Sequence, residues 1–249
     1  MSFEEFVANL TENDLKRLNQ AFYKKQNKLP VFQYGKIKDA DLEHLFVIKE
    51  RLEREPFEVW FHHPFTVDDE TVAFLKALIH RTEKVIRRYN EEDLKIKFIA
   101  KIIDRVNFES YRYEFRDFYE LPLCYQTKRF IFRGTVDFAV AKGLLKAEKP
   151  YFFIQEFKKA EEYSNPRPQL LAELISGLEL NQWTSIKGVY IIGTIWYFVL
   201  LEKLAEDNYQ YFVSQHFDCT KLDDLKAIYR HLSFVKKEIL DFVKGDKNG

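Results

Sequence analysis

The sequence predicts a mixed α/β fold, in which a mixed β-sheet is flanked by helices and preceded by a helical N-terminal extension. Three observations point to it. From Tyr111 onward, segments dense in aromatic and β-branched residues alternate with segments whose apolar residues recur at helical spacing. Their order (helix, three strands, helix, two strands, helix) suits one sheet with helices layered against it. With 249 residues, 46% of them apolar, the chain is long enough to bury one sizeable core.

Residues 1 to about 89 carry mixed charge at helical spacing, in "EEFVANLTENDLKRLNQAFYKK" and again in "VDDETVAFLKALIHRTEKVIRRY". In the second run Val72, Leu75, Leu78 and Ile79 line one face, and Asp68 or Asp69 reads as its N-cap. Between the two runs, "FEVWFHHPF" reads as a short strand or extended piece. Asn90 then caps a helix from about 91 to 106, with Leu94, Phe98, Ile102 and Ile103 on one stripe.

Three strands follow in "YEFRDFYELPLCYQT", "KRFIFRGTVDFAVA" and "PYFFIQEFKK", with Gly143 marking the turn between the second and third. The segment "NPRPQLLAELISGLELNQW" repeats apolar residues at 170, 171, 174, 175 and 178, a helix starting near Pro168. Two strands, "IKGVYIIG" and "IWYFVLLE", come next. After "YQYFVSQHF" an amphipathic helix runs from about 221 to 243, and "GDKNG" reads as a loose tail. This divides the chain into a mainly helical extension, 1–89, and a core with its C-terminal helix, 90–249.

Composition excludes several classes. The 39 basic and 39 acidic side chains cancel, which argues against a purely electrostatic nucleic-acid binder. No stretch reaches the roughly 18 to 20 apolar residues of a spanning helix, and "MSFEEFVANL" is acidic where a secretory signal is basic. Cys124 and Cys219 are the only cysteines, which suits a reducing interior, so a cytoplasmic protein with no membrane partner is expected. The adjacent His62 and His63 face opposite ways in an extended segment and read as structural or exposed. The chain has neither HExxH nor GxxxxGK[ST], against a zinc hydrolase or an ATP-driven translocase. Trp60, Trp183 and Trp196 read as core.

The chemistry lies in the charges that interrupt "GTVDFAVAKGLLKAEKPYFFIQEFKK". Along a strand the side chains alternate, so Glu156 and Lys158 emerge on one face and Gln155 and Phe157 on the other. An antiparallel neighbour carrying Asp137 brings a second carboxylate alongside, and two carboxylates repel unless a cation sits between them. Hard oxygen ligands suit Mg²⁺ or Mn²⁺. The same spacing admits a plain Glu156–Lys158 ion pair at a strand end, with Asp137 exposed near Gly134. Residues 121–160 carry eight basic and three acidic side chains, a local surplus suited to phosphate.

The series Gly134-Thr-Val-Asp137, a hairpin, Glu156-Phe-Lys158 and a helix bearing Gln169 resembles the PD-(D/E)XK nuclease superfamily, with its restriction-endonuclease-like fold. Upstream, "NEEDLKIKFIAKII" looks like the helix before this core in the N-terminal nuclease part of type I restriction subunits. "KGVYIIGTIWYFVLLE" is similar to the hairpin that closes the sheet in stand-alone relatives. The likeness covers about residues 90 to 203, and Val136 stands where the motif has its proline.

The resemblance implies a metal-dependent DNA endonuclease that hydrolyses phosphodiester bonds in restriction or defence. Asp137, Glu156 and the backbone carbonyl of Phe157 would bind one Mg²⁺ or Mn²⁺, completed by Glu91, with Glu92 and Glu83 as alternatives. Lys158 would position the attacking hydroxide. Gln169 would contact the site water or a phosphate, or else be a surface glutamine. Two other readings stay open: a catalytically inactive nuclease-fold module that binds nucleic acid or protein, and an unrelated α/β protein with an ordinary surface charge network. The first third of the chain would recognise a target, mediate self-association as a homodimer, or cover the sheet.

Overall fold

The computed structural model describes residues 28–158 and 165–246, with positions 11, 14, 15, 17–19 and 21 before them. The first expected helix lies largely outside the described residues, as does Lys159. Among the described residues, nine strands form one mixed sheet flanked by helices. The strands are β1 (Val31–Gln33), β2 (Val47–Arg51), β3 (Phe115–Gln126), β4 (Ile131–Lys142), β5 (Glu148–Lys158), β6 (Ser185–Ile192), β7 (Ile195–Ala205), β8 (Asn208–Val213) and β9 (Phe217–Asp218). The helices are α1 (Asp39–Leu45), α2 (Glu58–Phe61), α3 (Asp69–Thr82), α4 (Glu91–Leu94), α5 (Ala100–Val106), α6 (Pro166–Asn181) and α7 (Leu222–Asp246). A π-helical turn, Lys95–Ile99, joins α4 to α5, so the expected 91–106 helix is present with one widened turn.

Strand β4 organises the sheet. It pairs antiparallel with β3 along one edge. Its other edge is shared: β1 runs parallel to Ile131–Arg133, and β5 pairs antiparallel with Phe138–Lys142. Parallel strands need a crossover, and α6 supplies it between β5 and β6. The sheet continues through β7 to β8, with β2 parallel to β8 at the far side.

Because α6 is largely apolar, it buries every residue from Pro168 to Leu178. Leu170, Leu171, Leu174, Ile175 and Leu178 pack with Tyr34, Leu42, Val136, Ile154 and Val199 on one face of the sheet. On the other face α3, α5 and α7 bury Leu75, Ile102, Leu225, Ile228 and Leu232 against Phe138, Phe153, Phe157 and Phe198. The helix lies close to the sheet because of Gly188, where a Cβ would come within 2.8 Å of both the Ile154 carbonyl oxygen and Leu174 Cδ2.

Several expectations need correcting. "FEVWFHHPF" is not extended: Glu55–Phe57 form a 3₁₀ turn leading into α2. Phe57 and Trp60 are both buried, a one-face spacing that a helical turn provides. The first 89 residues contribute β1 and β2 as well as helices. These strands are short and find their partners a hundred residues or more downstream, so no local alternation marks them. Helix α6 starts at Pro166, capped by Asn165, whose side chain accepts from the Arg167 N–H. Helix α7 runs to Asp246, into the expected tail. The expected caps are present: Asp68 accepts from the Thr71 N–H and Asn90 from the Asp93 N–H. No helix among the described residues is long and apolar enough to cross a membrane.

Candidate active site

The site lies where β4 and β5 part. Their last paired residues on this side are Phe138 and Gln155. One step further, the register would set Asp137 opposite Glu156, but the ladder stops there. The Phe157 N–H donates instead to Asp137 Oδ2 at 2.8 Å. Strand β1 takes up the β4 edge again at Arg133, leaving a fork between the two pairings. Tyr34, just after β1, packs into this fork, and a Cβ on Gly134 would lie 2.9 Å from its ring.

Glu156 and Lys158 share a face, as strand alternation requires. Lys158 Nζ donates to Glu156 Oε1 at 2.6 Å. Glu156 is 0% exposed, and its Oε2 finds no hydrogen-bond partner among the described residues. Burial, and then the charge of Asp137, push its pKa up to about 8, against the pull of Lys158. Burial pulls Lys158 down, but the Glu156 and Asp137 carboxylates outweigh it and leave its pKa above the ordinary lysine value. Asp137 is 16% exposed, which removes the reading in which it stands in solvent near Gly134.

Helix α4 and the widened turn bring a second lysine. Lys95 Nζ sits 2.9 Å from Asp137 Oδ1 and within 3.5 Å of Glu91, 3.9 Å of Glu92 and 4.0 Å of Glu120. Burial opposes its charge, while Asp137 and then Glu91 raise its pKa. Of the upstream acids, Glu91 turns toward the site, 37% exposed against 72% for Glu92. Glu83 lies instead beside His80 at 3.5 Å.

Gln169, on the first turn of α6, is not a surface glutamine. It is buried, and its Nε2 donates to Glu173 Oε1 at 3.0 Å. Glu173 was missed in the sequence because it sits in a helix read for its apolar positions. The available signal was an acid four residues after Gln169 inside "PQLLAELISGLEL". Glu173 is fully buried, and its Oε2 lacks a partner among the described residues. Burial, then the neighbouring Glu156 charge, hold its pKa well above the usual carboxylate range.

These donors are hard oxygens, and the fully buried, unpartnered Glu156 Oε2 is an acceptor that a divalent cation would satisfy. The residues therefore fit Mg²⁺ or Mn²⁺ in chemistry. Among the described residues, no three His, Cys, Asp or Glu side chains converge into a ready cage. The Lys95 and Lys158 ammonium groups hold the carboxylates instead.

Elsewhere, a cavity of about 450 Å³ opens beside Phe152, Trp183 and Phe242. Another of about 540 Å³ is lined by Arg54, His62, His63, Arg230 and His231. His62 pairs with Glu58 at 2.8 Å, consistent with a structural or exposed role. Neither cavity includes the fork.

No family model matches the chain, and none of the curated proteins matches it.

Proposed function

We propose that the chain is a metal-dependent DNA endonuclease that hydrolyses phosphodiester bonds, acting in restriction or defence. The observation that carries this reading is the bond from the Phe157 N–H to Asp137 Oδ2, which ties the acid of one strand to the Glu156-Phe157-Lys158 segment of the other where their pairing ends. An ordinary surface charge network has no need of a fully buried glutamate flanked by a second carboxylate and an ammonium.

Asp137, Glu156 and the Phe157 carbonyl would hold the cation, and Glu91 would reach it directly or through water. Bound Mg²⁺ or Mn²⁺ would supply an acidified water and neutralise charge growing on the phosphate. Lys158 stays protonated at neutral pH and would orient the attacking hydroxide and stabilise the developing charge. Gln169 anchors Glu173 at the start of α6 and would present its remaining polar groups to the site water or a phosphate. The basic surplus over residues 121–160 would hold the DNA backbone.

One observation favours the second reading, an inactive nuclease-fold module that binds nucleic acid or protein. Lys95 Nζ already lies on Asp137 Oδ1, where its ammonium answers the acidic charge that a cation would otherwise meet.

The test is to incubate the protein with plasmid, linear and single-stranded DNA in Mg²⁺ or Mn²⁺. Cleavage lost in both Asp137→Ala and Lys158→Ala supports the nuclease. Cleavage that survives both rejects this site. Binding of DNA without cleavage selects the inactive module.

A further inference from the structure

We propose that the cavity between α2 and the first half of α7 binds a nucleoside monophosphate, with the phosphate held by Arg54 and Arg230 and the base set against Phe61 and His231. This site is separate from the fork and does not depend on the nuclease reading.

The cavity, about 540 Å³, falls within the roughly 300–1,000 Å³ of small-molecule sites. Its charges are unevenly satisfied. The acids that line it are already engaged: Glu58 with His62 Nδ1 at 2.8 Å, Asp223 with Lys226 at 2.9 Å, and Asp224 with the Asp218 N–H at 3.0 Å. The guanidinium groups are not. Arg54 Nη1 donates to the Val213 carbonyl at 3.1 Å, and among the described residues neither Arg54 nor Arg230 is ion-paired with a carboxylate. Two exposed guanidinium groups on one cavity, each a planar fork of donors, suit a phosphate dianion.

The rest of the lining is aromatic. Phe57 and Phe217 are buried there, and Phe61 stacks on the His231 ring with centroids 3.9 Å apart. His231 is 3% exposed, burial keeps its imidazole neutral, and its Nδ1 has no partner among the described residues. His63, on the same cavity, has a buried Nδ1 in the same condition. A purely apolar occupant would leave both nitrogens unsatisfied, and water alone would leave the aromatic wall wet. A heteroaromatic base has an apolar face for the phenylalanines and a polar edge for the imidazoles.

The test is calorimetric titration of the full chain, in chelator, with adenosine monophosphate, adenosine and inorganic phosphate. The monophosphate should bind saturably and at least about 10-fold more tightly than either fragment. Arg230→Gln alters an exposed residue, so it should fold normally and bind the monophosphate and inorganic phosphate about 10-fold more weakly. Arg87→Gln makes the same change on an exposed arginine outside the cavity and should bind as the unaltered protein does. His231→Phe keeps a ring but removes its nitrogens, and should weaken the monophosphate and adenosine while sparing inorganic phosphate. Absence of saturable binding, or equal binding by Arg230→Gln and Arg87→Gln, overturns the proposal. Binding lost in Lys158→Ala but kept in Arg230→Gln moves the ligand to the fork and also overturns it, leaving the nuclease reading untouched.

Discussion

Asp137 and Phe157 are joined side chain to backbone across the point where two strands separate, with 2.8 Å between Asp137 Oδ2 and the Phe157 nitrogen. The acid thus closes a ladder as well as facing the site. Asp137→Ala leaves the Phe157 N–H without its acceptor and the Lys95 ammonium with only its longer contacts to Glu91, Glu92 and Glu120, and should lower metal-free stability by about 1–3 kcal/mol. Asp137→Asn keeps an oxygen for the N–H and should recover most of that loss. Both should reduce DNA cleavage by at least about 100-fold. Denaturant midpoints in chelator, set beside a plasmid-nicking assay, separate the two effects.

Glu156 makes the metal-free fold sensitive to alkali. Its folded pKa, about 8, lies above the ordinary 4.5, so the native state holds the proton more tightly than the unfolded chain does. The stability this contributes is complete below pH 4.5 and is lost as pH rises through about 8. Glu156→Gln should flatten that fall. Urea midpoints measured in chelator from about pH 5 to about pH 9 test it, and parallel curves for the two proteins would refute it.

His231 works in the opposite sense. It is stacked on Phe61 with ring centroids 3.9 Å apart and is nearly inaccessible to water. Burial, then the charges of Arg230 and His62, depress its pKa to about 3 from 6.5. The unfolded chain takes up the proton first, so this contribution is full above about pH 6.5 and is lost toward pH 3, at up to about 1.4 kcal/mol per pH unit. His231→Phe retains an aromatic ring and should resist acid better, with a smaller slope of denaturant midpoint against pH between about 4 and about 6.

Gly188 sets the distance between α6 and the sheet. Gly188→Ala puts a methyl group 2.8 Å from the Ile154 carbonyl oxygen and from Leu174, so helix or strand must move. The expected cost is about 1–3 kcal/mol in thermal stability. Because Gly188 lies against Leu174 and the Ile154 carbonyl, the same change should shift α6 against β5, and Gly188→Ala should lower the melting temperature more than alanine at the exposed Glu206. Equal melting temperatures would show that the close approach of helix and strand carries no cost.

The residues of the fork were legible because strand alternation is strict: once "YFFIQEFKK" is read as a strand, Glu156 and Lys158 must emerge together, and a hairpin must bring Asp137 near. The helix over 91–106 was equally legible from Leu94, Phe98, Ile102 and Ile103, whose stripe survives the π turn as a continuous buried edge. Lys95 and Glu173 were not. Lys95 owes its role to a contact 42 positions away with Asp137, which no local period encodes. Glu173 hides in a helix so apolar that one acid barely alters its pattern. Strands β1 and β2 escaped because a strand of three or five residues shows too few alternations to stand apart from a loop.

Those two strands carry a practical consequence for any attempt to shorten the protein. A segment of about twenty residues supplies a parallel neighbour both to β4, beside the fork, and to β8, on the opposite flank. Cutting the chain at residue 90 to isolate the part that carries the fork would strip both flanks at once. The bared backbone donors and acceptors of β4 and β8 would then invite intermolecular strand addition, so such a fragment should precipitate or self-associate instead of behaving as a compact monomer.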